Sequence, residues 1–121
     1  MEWAEFLSER PLAVVATVSP DGTPHAVPVE VVVEGGAVYV WCRATSLKAR
    51  NAARSGRAAL VAYKGHSFAL ARGAARLLGA THPDYARITG LFLTKYDRTE
   101  AYGNDTLIRI TPERTIGPRL G

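Results

Sequence analysis

The chain has 121 residues, 47% apolar and 21% charged, with a formal net charge of +4 and a pI near 9.6. That length holds one domain with a real core rather than two, so residues 1–121 read as a single domain. One cysteine excludes a disulfide framework, no apolar run nears the roughly 18 residues that cross a bilayer, and the acids in MEWAEFLSER exclude a secretory signal, so a reducing cytoplasm is expected.

Trp3, Phe6 and Leu7 recur at i, i+3, i+4, which predicts a short amphipathic helix over 2–9, ended by Pro11. LAVVATVS (12–19) is β-branched and apolar, a buried strand by composition, and SPDGTP supplies the Pro-Asp-Gly order of a tight turn. HAVPVEVVV (25–33) alternates as one strand, with His25, Val27, Val29, Val31 and Val33 on one face and Ala26, Pro28, Glu30 and Val32 on the other. Pro28 has no N–H for a ladder, so an edge or bulged position is expected there. EGG makes the next turn, and AVYVWCR (37–43) is the third strand.

A basic helix follows, with Arg43, Lys48, Arg50, Arg54 and Arg57 and no acid over 43–57. Thr45 or Ser46 is a good N-cap, and Gly56 stands where a C′ glycine belongs. RAALVAYK (57–64) and FALARGAARLLG (68–79) pair across GHS, with Gly73 predicting a bulge or bend. Thr81 and Asp84 have capping-box spacing with Pro83 in the first turn, which predicts a helix over 82–95. TLIRITP (106–112) alternates as the last strand. Short antiparallel connections dominate, so a mainly β fold is expected: a six-stranded antiparallel barrel with peripheral helices, curled to protect its edges.

The helix after strand three has two readings. It is a capped surface helix with solvated cations, or its free N–H groups and dipole hold an anion. Lys48 and Asn51 share a face at i, i+3, so Thr45, Ser46, Lys48 and Asn51 can converge on one phosphate. Elsewhere Cys42 reads as a core thiol, and His25, His66 and His82 lack metal-ligand spacing, so no metal is expected. No side chain stands out as a general acid or base. Binding of single-stranded nucleic acid is the non-enzymatic rival, but VYVWCR offers only Arg43 among its aromatics.

The ordered set from ATVSPDGTPHAVPVEVVV to TSLKARNAARSGRAALVAY resembles the pyridoxamine 5′-phosphate oxidase-like, FMN-binding split-barrel family. The resemblance spans about residues 10–80 and weakens toward the last strand. It implies a split barrel that binds FMN or a deazaflavin coenzyme, with the phosphate on Ser46, Lys48 and Asn51 and Thr45 adjacent. Val27, Pro28, Val29, Glu30, Trp41, Cys42 and Arg43 would flank the ring and ribityl chain. The family is usually homodimeric with the cofactor at the subunit interface, so a homodimer is implied. RITPE resembles the oxidase's last strand, but the tryptophan and basic residues that should follow are absent from RTIGPRLG. The implied activity is therefore a flavin-dependent oxidoreductase of unknown substrate, or an electron-carrying flavin module without one.

Overall fold

The computed structural model describes residues 2–121. Its strands are β1 (Ala13–Val18), β2 (Pro24–Val29), β3 (Val32–Glu34), β4 (Ala37–Cys42), β5 (Arg57–Lys64), β6 (Ser67–Gly79) and β7 (Thr106–Leu120). The helices are α1 (Trp3–Ser8), α2 (Leu47–Ser55) and α3 (Tyr85–Lys95).

All strands belong to one antiparallel sheet in the order β2-β1-β5-β6-β7-β4-β3. The two edge strands, β2 and β3, are consecutive in sequence and separated only by Glu30 and Val31. So short a link spans only about 10 Å when extended. The outer edges must therefore meet, and the sheet closes into a barrel with a seam at that crossover.

The expected single strand over 25–33 is thus two strands, and the barrel has seven strands, not six. Val29 pairs with Ala13 on β1, whereas Val32 pairs with Tyr39 on β4. Side-chain alternation runs on through the crossover, because Val29 and Val31 enter the barrel core while Val32 joins a second cluster outside it. A change of ladder partner leaves the period of two intact.

The last strand also runs further than the expected end at 112. β6 is 13 residues long and keeps offering ladder partners, so β7 continues past Pro112 to Leu120. Arg72 pairs with Arg114 and Gly73 with Pro112, which leaves Glu113 as an extra residue in a bulge. The bulge needs Gly73: a Cβ there would collide with the Thr111 carbonyl.

The barrel interior holds Val15, Val31, Val38, Leu60, Ile108 and Ile110, with Leu7 of α1 packed among them. Ala49 and Ala52 of α2 are fully buried in the same cluster, and small side chains let that helix lie close on the strands. On the outside of β4 and β7, Ile88 and Phe92 of α3 pack on Tyr39, Leu78 and Leu107. Fully burying a side chain such as Phe92 is worth about 1.5–3 kcal/mol. β4 is consequently covered on both faces, which is why AVYVWC carries no polar alternation.

The predicted capping box is not formed. α3 begins at Tyr85, and Asp84 makes no side-chain cap. Its N–H donates instead to His82 Nδ1 at 3.1 Å, while its carboxylate faces the Arg87 guanidinium at 3.2 Å.

Candidate functional site

α2 starts and stops on local chemistry. Ser46 has extended backbone, accepts the Ala49 N–H at 3.4 Å and donates its own proton to the Arg43 carbonyl at 2.7 Å. Gly56 closes the helix in the left-handed region at φ 69°. No acid lies in the first turn. The N–H groups of Leu47 and Lys48, the first two of the helix, find no acceptor among the described residues. The half-buried Lys48 ammonium likewise has no carboxylate partner among them.

Beside this helix start lies a cavity of about 330 Å³. The end of β2 lines it with Pro28 and Val29, the crossover with Glu30, and the end of β4 with Trp41 and Cys42. Arg43, Ser46 and Lys48 complete the basic side, and Asn104 closes it from the loop before β7. Eight of the eleven residues expected around a cofactor therefore share one cavity.

Three do not. Val27 packs on the barrel core, and Thr45 is exposed in the turn outside the lining. Asn51 is 1% exposed and gives its amide to Thr17 Oγ1 at 3.2 Å and to Ser19 Oγ at 3.3 Å. The convergence of Asn51 with Ser46 and Lys48 does not occur. A dry amide must find partners, and Thr17 on β1 and Ser19 just after it are at hand, so Asn51 ties α2 to the barrel.

Asn104 lies in a stretch that reads only as a loop. The β4–β7 ladder brings it to the cavity: Cys42 pairs with Thr106, and Asp105 donates its N–H to the Cys42 carbonyl at 3.0 Å. Asp105 Oδ1 also accepts the Ala44 N–H at 2.7 Å. Nothing local in the sequence announces this contact.

The acidic wall is built as carefully as the basic one. Arg98 pairs with Glu30 at 2.9 Å, and its guanidinium lies 5.5–5.8 Å from the ring centres of Trp41, Tyr96 and Tyr102. Trp41 Nε1 donates to Tyr85 Oη at 3.1 Å, which fixes the indole in the wall. Next to Glu30, the Val31 carbonyl accepts Lys95 Nζ at 2.7 Å, and the Val31 N–H donates to Tyr96 Oη at 2.9 Å. Burial pulls the Lys95 pKa down to about 8, with Glu30 opposing the shift and Arg10 adding to it. Burial likewise pushes the Cys42 thiol up, so the thiol stays protonated at neutral pH, consistent with its core packing.

A sequence model of the pyridoxamine 5′-phosphate oxidase family matches residues 1–117. The chain belongs to that family. Solved structures that it resembles include an F420 reductase (TM-score 0.76, 22% identity, 96% of this chain and 98% of that one). Others are a conserved hypothetical protein of Mycobacterium tuberculosis (0.79, 22%, 93% and 79%) and the heme storage protein HutZ of Vibrio cholerae (0.79, 15%, 97% and 92%). At these identities they show the fold that this family member shares with them, the split barrel. No curated relative matches the chain.

Among the described residues no group of three or more His, Cys, Asp or Glu side chains is placed to hold a metal ion, and no helix is long and apolar enough to cross a membrane. A larger depression of about 370 Å³ on the outer face is mostly apolar, lined by Ala16, Val18 and Ala59 with Arg57 and Arg72 at its side. The smaller cavity is the candidate site, because it joins a helix start, an ammonium without a carboxylate partner among the described residues, and an aromatic wall.

Proposed function

We propose that this family member binds FMN or a deazaflavin coenzyme in the cavity beside α2 and acts as an oxidoreductase of the reducing cytoplasm. The observation that supports this reading is the basic side of the cavity: Lys48, without a carboxylate partner among the described residues, lines it with Ser46 at the start of α2, whose first N–H groups are free. These donors fit a phosphate. Ser46 contributes less than its position suggests, since its proton is already given to Arg43. Pro28, Val29 and Trp41 offer an apolar wall to a ring, and Arg43 adds a cation at the edge.

The bound coenzyme would supply the hydride chemistry. The chain's part is to neutralise the phosphate, orient the ring and keep water out. We assign no catalytic acid or base to the chain.

We further propose a homodimer. On the outside of the barrel, Pro28, Val14, Val61, Leu70 and Ile116 stand in register across five strands, each exposed or half-exposed. Tyr63 and Leu12 beside this row are 71% and 56% exposed. Pro28 belongs both to this face and to the cavity lining. A second copy seated there would supply the wall that a single chain leaves open.

The test is titration of the purified protein with FMN and with the deazaflavin coenzyme, followed by absorbance and fluorescence. Micromolar or tighter binding of one of them is expected. Absence of binding to both would overturn the reading. If a coenzyme binds, its oxidation or reduction by a reduced nicotinamide separates an enzyme from an electron carrier.

A further inference from the structure

Arg98 is an expensive residue to keep where it is. Its side chain is only 18% exposed, and its Nε is buried without a hydrogen-bond partner. Burying a guanidinium costs several kcal/mol unless it is paired, and an orphaned N–H adds to that cost. The compensation is one carboxylate, Glu30, together with the faces of Trp41, Tyr96 and Tyr102. What this arrangement produces is a carboxylate fixed in the cavity wall. Arg98 pairs with Glu30 through Oε1 at 2.9 Å, and no hydrogen bond among the described residues engages Oε2. The backbone of the neighbouring Val31 is held at both its N–H and its carbonyl by Tyr96 and Lys95. The cavity therefore has two poles: Lys48 at the start of α2, and the Glu30 carboxylate across from it in the lining.

We propose that Glu30 selects the ring of the bound coenzyme, its free Oε2 accepting a hydrogen bond from the ring imide N–H, and that Arg98 is the positioning residue that aims it. This inference rests on the flavin reading above and adds to it a side-chain determinant. A fixed carboxylate repels an anionic edge and favours a ligand with an N–H donor remote from its phosphate. FMN and deazaflavins both carry such an imide.

The experiment compares FMN with 3-methyl-FMN, in which a methyl group replaces that imide hydrogen. Both are titrated by fluorescence against the wild type, Glu30→Ala, Arg98→Gln and Arg98→Lys. The wild type should prefer FMN by about tenfold or more, the usual weight of a hydrogen bond to a charged acceptor. Glu30→Ala should bind FMN as weakly as the wild type binds 3-methyl-FMN, with 3-methyl-FMN affinity itself unchanged. Arg98→Gln should shrink the preference, and Arg98→Lys should restore part of it, an outcome that a merely structural role would not produce. Equal binding of the two flavins by the wild type overturns the inference and leaves the flavin reading standing. So does a preference that survives in Glu30→Ala, or one that vanishes because 3-methyl-FMN affinity rises there, which would mark a relieved clash. Failure of the wild type to bind FMN or the deazaflavin overturns both. Should Glu30→Ala not fold, Arg98→Gln takes its place, and a preference undiminished in that variant overturns the inference.

Discussion

Lys48 and Asn51 lie three residues apart on one short helix and do opposite work. Lys48 is half-buried at the cavity without a carboxylate partner, whereas Asn51 is buried and hydrogen-bonded to Thr17 and Ser19. Lys48→Ala should therefore weaken coenzyme binding by about 1.5–3 kcal/mol, the range for a charge-assisted contact, and leave the thermal midpoint nearly unchanged. Asn51→Ala should lower stability by about 1–3 kcal/mol, since it strands the hydroxyls of Thr17 on β1 and Ser19 just after it. Titration and urea denaturation of the two variants check the contrast; equal loss of binding in both would return Asn51 to the phosphate. The cap at Ser46 and the stop at Gly56 were legible because both depend on a few consecutive residues. The role of Asn51 was not, because i, i+3 spacing says which side chains share a face but not what that face meets.

At the scale of elements, the C-terminal end of α3 and the residues after it act on the β2–β3 crossover through Lys95, Tyr96 and Arg98. Lys95 pays for its place in charge. Its pKa falls from 10.5 to about 8 on folding, so between these values the unfolded chain binds more protons than the folded one. Stability then rises with pH across that window. The stability of the wild type relative to Lys95→Met should accordingly increase from pH 7.5 to pH 10, read from urea midpoints at each pH. A difference that stays flat would mean that Lys95 keeps its ordinary pKa. Most elements were legible within a few residues, since each has its own period, turn or cap. The crossover was not: β2 and β3 read as one strand because exchanging ladder partners at Glu30 and Val31 leaves the alternation untouched. The extension of β7 was hidden for a related reason, as Pro112 and Gly117 look like stops until β6 lies alongside.

For the whole molecule, closure of the barrel decides what is exposed. The interior and the α3 side are covered, and the five-strand row from Pro28 to Ile116 is left in solvent. If a second copy covers it, Val61→Glu together with Tyr63→Glu should yield a monomer by analytical ultracentrifugation and weaken coenzyme binding through the shared Pro28 lip. A wild type that sediments as a monomer would remove the dimer from the account. Barrel class was legible from strand count and short turns, and the resemblance added the split-barrel type. The strand order was not, because it depends on pairings such as Val38 with Ile110, far apart in the chain.

The seam has one more consequence. Pro28 and Val29 approach the cavity from β2, one margin of the sheet, while Trp41 and Cys42 approach from β4, which carries the other margin, β3. An occupant touching both would bridge the line along which the sheet must come apart for the barrel to open. Because it binds only the closed form, occupancy and closure are linked: at a hundredfold excess over its dissociation constant, such a ligand adds about 2.7 kcal/mol to the cost of unfolding. Loading the site and latching the seam are then a single equilibrium.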